Sequence, residues 1–195
     1  MNFYLIRNRK APWGDYGNIL FYGFLSDISD QIVIERIGPF LPSAYFIFGH
    51  IVVDDSAKHI LETFDLKGVD YSLAQKKKIV NLDWKDWSFE EKIPYKPKSG
   101  EPEDFILKGK HDEILAKNLG QIWVITPVET ARGLIDKSKK IPNEYNHISL
   151  DLTGWNGNDV FRTPQLGHIF CTENFKIAVE HITDSHLVFV PILAL

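Results

Sequence analysis

The chain has one cysteine, Cys171, and seven histidines, the residue types from which a thiol nucleophile and its imidazole base are built. His50 and His168 each follow a glycine and precede a short apolar run. They could present two imidazoles symmetrically to a metal, although a zinc site needs a further ligand. The remaining histidines, His59, His111, His147, His181 and His186, show neither a His-Glu-x-x-His spacing nor a Cys-x-x-His arrangement. Carboxylates gather at Glu101, Glu103 and Asp104 and again at Asp112 and Glu113. Acid and base work by such groups requires a cleft that separates their pKa values, which a proline-bounded loop does not offer. An acidic surface facing a basic partner is the simpler reading. Trp84 and Trp87 flank Lys85 and Asp86, and Trp155 lies in a Gly/Asn-rich turn. Trp84 reads as core; for Trp155, packing and partner contact both stay open, since tryptophan is enriched at binding hot spots. No phosphate-binding Walker loop, dinucleotide glycine fingerprint or Gly-x-Ser-x-Gly elbow is present. Lys76-Lys77-Lys78 reads as a solvated strand end.

The elements that must position these residues contain a unit written twice. Laying Gly49-His50-Ile51 over Gly167-His168-Ile169 and continuing without a gap brings Lys58 over Lys176, Glu62 over Glu180 and Tyr71 over Phe189. In the first copy the strand Ile51-Val52-Val53 leads to Asp54, a good N-cap residue. Ala57, Ile60, Leu61 and Phe64 then fall on one helical face. In the second, Ile169-Phe170-Cys171 leads to Thr172, and Phe175, Ala178, Val179 and Ile182 repeat the stripe. Gly68 ends the first helix, and 69–73 alternates as a strand; Leu187 to Val190 takes the same place and, being wholly apolar, reads as buried on both faces. Such a unit cannot cover its own apolar face, so the copies are expected to share a core. Cys171 falls over Val53, which makes it a small apolar strand residue rather than a nucleophile. His50 and His168 become architectural residues at strand entrances.

Elsewhere, Phe3–Arg7, Ile19–Phe24 and Gln31–Arg36 read as strands separated by turn-rich segments. Residues 38–43 read as an apolar loop, and Ile79–Trp84 as a strand. A helix is expected from Asp112 to Leu119, stopped by Gly120, with strands at 121–125 and 148–152. Asn156-Gly157 supplies a tight turn. The whole is an α+β chain, with a mixed or mainly antiparallel sheet, a few short helices and two similar strand-helix-strand units. Its organisation is an N-terminal half (1–93), a linker-like segment (94–104) and a C-terminal half (105–195), forming one compact domain or two tightly packed subdomains.

At 195 residues and a net charge of -4, the chain is long enough to bury a substantial core and too acidic for a general nucleic-acid binder. A lone cysteine excludes an intramolecular disulfide and points to a reducing compartment. No secretory signal pattern and no membrane-length apolar run is present. A cytoplasmic protein without membrane or nucleic-acid partners is expected.

Three stretches, Ile34-Glu35-Arg36-Ile37-Gly38-Pro39-Phe40-Leu41-Pro42, Ile79-Val80-Asn81-Leu82-Asp83-Trp84-Lys85-Asp86-Trp87 and Gly100-Glu101-Pro102-Glu103-Asp104-Phe105-Ile106-Leu107, resemble a set of uncharacterised bacterial proteins. Gly154-Trp155-Asn156-Gly157-Asn158-Asp159-Val160-Phe161-Arg162 and the helix end Leu66-Lys67-Gly68-Val69 are similar to the same group, the immunity proteins of polymorphic toxin systems. The resemblance implies stoichiometric binding that neutralises a cognate bacterial toxin, with no catalysis and no cofactor. Partner contact would then fall on Glu101, Glu103, Asp104, Trp155, Asn156 and Asp159. The alternative is a small-molecule- or metal-binding protein, or an enzyme, with a cleft between the repeat units lined by His50 and His168.

Overall fold

The computed structural model describes residues 1–11, 14–28, 31–38, 40–82, 101–139 and 145–195. Trp84, Trp87 and most of the expected linker lie outside them. In chain order the elements are β1 (Phe3–Asn8), α1 (Asp15–Tyr22), β2 (Phe24–Ile28), β3 (Gln31–Gly38), β4 (Ala44–Ile47), β5 (His50–Asp54) and α2 (Asp55–Glu62). There follow β6 (Tyr71–Leu73), β7 (Gln75–Asn81), α3 (Asp104–Lys108), α4 (Glu113–Asn118), β8 (Ile122–Ile125), β9 (Arg132–Ile135) and β10 (Ile148–Asp151). The last are β11 (Val160–Arg162), β12 (Ile169–Thr172), α5 (Glu173–Glu180) and β13 (Leu187–Ala194). The fold is α+β, as its sequence patterning leads one to expect, with short helices on mixed and antiparallel sheets.

Among the described residues three sheets form, ordered β11-β12-β1-β13-β10-β9, β4-β5-β8-β6 and β2-β3-β7. The repeat is visible in the first two at the level of residue register. β5 pairs antiparallel with β8, Val53 opposite Trp123, and β6 closes on β8 with Tyr71 opposite Ile125. β12 pairs antiparallel with β1, Cys171 opposite Tyr4, and β13 closes on β1 with Phe189 opposite Ile6. Copy one is therefore β4-β5-α2-β6 plus β8, and copy two is β11-β12-α5-β13 plus β1. The strand that follows the unit in one copy comes from the far end of the chain in the other.

Both copies bury their helices in one core, where Ile51, Val53, Ala57, Leu61 and Ile125 meet Ile6, Ile169, Cys171, Phe175, Ala178 and Val179. The stripes complement each other in size: Ala57 corresponds to Phe175, and Ile60 to Ala178. Large side chains of one helix thus occupy positions held by small ones in the other. The opposite faces of the strands pack elsewhere. Val52 joins Tyr45, Phe21 and Tyr22, and Phe170 joins Phe3, Phe161 and Leu150. Burial on both faces explains why β5 and β12 are continuous apolar runs rather than alternating ones.

The copies are also pinned at their edges. Asn8, at the end of β1, donates from Nδ2 to Phe46 O (2.7 Å) and accepts from Phe46 N at Oδ1 (2.7 Å), completing β4 as another strand would. At the other end Asp159 N donates to Lys67 O (2.8 Å), and Lys67 N donates back to Asp159 Oδ2 (2.8 Å).

Several sequence-based expectations need correction. Residues 19–22 are helical: four apolar residues in a row cannot distinguish strand from buried helix, and Leu20, Phe21 and Tyr22 are all buried here within α1. β13 is not buried on both faces, because Val188 opens into the cleft described below. Thr172 holds the N-cap position of α5 without capping it; its hydroxyl donates to Asp159 Oδ1 instead. The lysine run is not merely solvated. Lys76 Nζ donates to Ala116 O and Gly120 O, and Lys78 Nζ to Leu107 O (2.7 Å). Both cations thereby satisfy the carbonyl ends of α4 and α3, where the helix dipole favours positive charge.

Candidate functional site

A cleft of about 1050 Å³ lies where the two copies meet. One wall is the β4–β5 turn, Phe46 to Gly49; the other combines Arg7 and Asn8 of β1, Arg162 of β11, Gly167 and Val188. α1 lies along it through Gly14, Asn18, Ile19 and Tyr22, and Arg9 and Lys10 complete the cationic lining.

Local geometry explains this placement. Gly49 and Gly167 occupy equivalent turns ahead of β5 and β12, with φ of 82° and 62°, conformations that glycine adopts without steric cost. Phe48 takes the same left-handed region, φ 45°, where a bulky side chain is strained. Its ring is 67% exposed. Arg162 reaches from copy two towards the Gly49 turn of copy one, its Nη1 lying 3.5 Å from where a Cβ at 49 would stand.

Four cations line the cleft and no carboxylate does, among the described residues. Glu129, 3.4 Å from Arg162 Nε, offsets one of them. The Arg7 guanidinium sits 4.7 Å from the centre of the Tyr145 ring; among the described side chains Arg7, Arg9 and Lys10 form no ion pair, although the Arg9 charge acts on the Asp184 carboxylate. In a chain of net charge -4, this is a local reversal of sign.

The paired histidines flank the cleft without lining it. His50 Nδ1 lies 3.0 Å from Thr126 Oγ1; burial and then Arg162 hold its pKa below the ordinary value. His168 packs edge-on against Tyr145 and Phe170, and burial, Arg7 and His147 lower its pKa in the same way. Each repeat thus sets one histidine beside one cleft arginine, and the two imidazoles belong to different sheets. Among the described residues no group of three or more His, Cys, Asp or Glu could hold a metal ion. Burial raises the Cys171 thiol well above its ordinary pKa, the reverse of what a thiolate nucleophile needs.

The remaining residues named from sequence lie apart from the cleft. Trp155 packs edge-on against Phe3 with centroids 5.3 Å apart, and its Nε1 donates to Asn158 O (3.1 Å). Asp159 is 7% exposed and spends its carboxylate on Thr172 and Lys67. Asn156 is exposed, its Oδ1 accepting from Asn158 N. Of the acidic group, Glu101 is exposed, Asp104 pairs with Lys108 at 2.5 Å, and Glu103 Oε2 is buried without a hydrogen-bond partner. Leu107 (62% exposed) and Ile114 (74%) stand on the helices that follow this segment. Sequence reasoning missed the cleft arginines because they come from separate strands. Arg7 and Arg9 shared one signal, the absence of neighbouring acids along Arg7-Asn8-Arg9-Lys10, and Arg162 had none.

No family model matches this sequence, and no curated protein matches it. What fold and site define is an α+β protein of two interlocked repeat units with a cationic cleft at their junction. No helix is long and apolar enough to cross a membrane, among the described residues.

Proposed function

We propose that this chain is an immunity-type protein, which neutralises a cognate toxin by stoichiometric contact through the α3–α4 segment. The observation that supports this reading is the exposure of two large aliphatic side chains, Leu107 and Ile114, on consecutive helices bordered by the exposed carboxylates Glu101 and Glu113. Exposed apolar side chains with a charged rim are the composition of a protein-binding surface. The carboxylates favour a basic partner by steering and by complementarity. Trp155 and Asp159 contribute indirectly, by holding copy two together.

Co-expression with the product of a neighbouring toxin gene, followed by co-purification, tests the proposal. The parent chain is expected to abolish toxicity and to form a one-to-one complex. L107E/I114E, which changes only exposed positions, should fold normally and weaken the complex by about tenfold or more, as loss of a hot-spot residue does. Absence of any complex with the parent sinks the immunity reading; a complex indifferent to the double variant sinks the α3–α4 surface.

A further inference from the structure

We infer that the cleft between the repeat units is a binding site for a phosphorylated aromatic small molecule of the mononucleotide class. The inference stands apart from the toxin-binding reading, since it rests on a different face and on different residues. Each part of the cleft corresponds to a part of such a ligand.

The anionic end is served by Arg7, Arg9, Lys10 and Arg162, which line the cleft with no carboxylate beside them among the described side chains. Like charges held together in an acidic chain raise one another's energy, and an anion relieves that repulsion. Guanidinium groups suit phosphate oxygens, which accept two parallel N–H bonds from one arginine. Arg162 turns its Nε to Glu129 at 3.4 Å and its Nη1 towards Gly49 of the cleft lining, 3.5 Å from where a Cβ at 49 would stand. Glycine at 14 and 167 leaves open space where a side chain would project, allowing close approach of a ligand to the backbone.

The cationic wall alone would suit any small anion. The rest of the lining includes apolar and aromatic side chains, Ile19, Tyr22, Phe46, Ile47, Phe48 and Val188. Phe48 is the informative residue. A phenylalanine both strained at φ 45° and 67% exposed is costly on the backbone and poorly rewarded by burial, and such outliers gather at ligand sites. A planar ring stacked on Phe48 would gain what this residue lacks in the free protein. The volume, about 1050 Å³, exceeds the needs of a bare phosphate and falls at the upper end of small-ligand sites, roughly 300–1,000 Å³.

Calorimetric titration of the full chain at low salt with AMP, adenosine and inorganic phosphate tests the assignment. AMP is expected to bind saturably and at least about tenfold more tightly than either half, because both ends of the cleft engage it. R7Q/R9Q, altering exposed side chains, should keep the parent melting temperature and lose about tenfold or more in AMP affinity. F48G should also fold, since glycine suits the left-handed turn, and should weaken AMP while leaving phosphate binding unchanged. No saturable AMP binding, AMP binding that survives R7Q/R9Q, or phosphate binding as tight as AMP would each overturn the inference.

Discussion

At the scale of single residues, chemistry suggested by residue type was often consumed by packing. Cys171, Trp155 and Asp159 are all accounted for inside the fold. His186 is the converse, a residue without any sequence signal that carries a sharp physical consequence. It is 1% exposed and wedged among Phe21, Phe40 and Tyr22, whose hydroxyl lies 3.2 Å from Nδ1. Burial first, then Arg9 and Arg36, push its pKa from the ordinary 6.5 down to about 4; Asp184, 3.8 Å from Nε2, is too distant to restore it. Because the folded state disfavours the proton, the stabilisation is complete above pH 6.5 and is lost as pH falls from there through 4. Between pH 7 and pH 4.5 this one group removes roughly 2 to 3 kcal/mol. His186→Gln should flatten the pH dependence of urea unfolding by that amount, and superimposable profiles for parent and variant would refute the assignment. Arg36 was equally silent in the sequence. A lone arginine on a strand reads as solvated, yet it is wholly buried and donates to Phe21 O, Phe40 O and the Tyr45 hydroxyl, fixing the loop that follows β3.

At the scale of elements, periodicity located the starts of both repeated helices, with Asp54 and Thr172 at their N-cap positions, but ran the first too long: α2 stops at Glu62 with Thr63 at its C-cap, so Phe64 and Gly68 lie beyond it. What periodicity could not disclose is that the copies share polar detail as well. Trp123 Nε1 donates to Asp55 Oδ1 (2.8 Å) and Tyr4 OH to Glu173 Oε2 (2.5 Å). In each case an aromatic donor on the borrowed strand holds the first-turn carboxylate of the helix. Lys58 then lies over Trp123 and Tyr71, and Lys176 over Tyr4, each also paired with the glutamate one turn on. These hydrogen bonds are the leading reason that Asp55 and Glu173 both titrate below their ordinary values. Tyr4→Phe should therefore return the Glu173 pKa towards the usual glutamate range and leave Asp55 alone, and Trp123→Phe should do the reverse. Carboxyl-carbon NMR titrations would read both, and a carboxylate indifferent to its own partner's loss would show the likeness to be superficial. α1 was misread as a strand because its apolar residues are consecutive, and only contacts with β3 and β4 decide the matter.

At the scale of the whole molecule, the expectation of a shared core rested on the inability of either unit to cover its helix. Side chains from both copies do interleave in one cluster. Urea unfolding followed by tryptophan fluorescence and by far-ultraviolet circular dichroism should accordingly give coincident transitions; two resolved midpoints would mean that the units stand alone. The cleft was less legible than the core. It is assembled from β1, the β4–β5 turn, α1 and the β11–β12 connection, and no local pattern brings such distant residues together.

The borrowing of β1 by the second copy has a consequence for how the chain is made. Copy one draws on residues 44–125, a continuous stretch whose sheet can close as soon as β8 has been synthesised. β1 must wait for β12 and β13, since its register partners run from Phe170 to Ile192. Until then Phe3, Leu5 and Ile6, all buried in the finished protein, belong to an apolar strand with both edges open. Closing so long a loop is slow relative to local pairing. The nascent chain is thus exposed to aggregation through β1 for as long as β12 and β13 are missing.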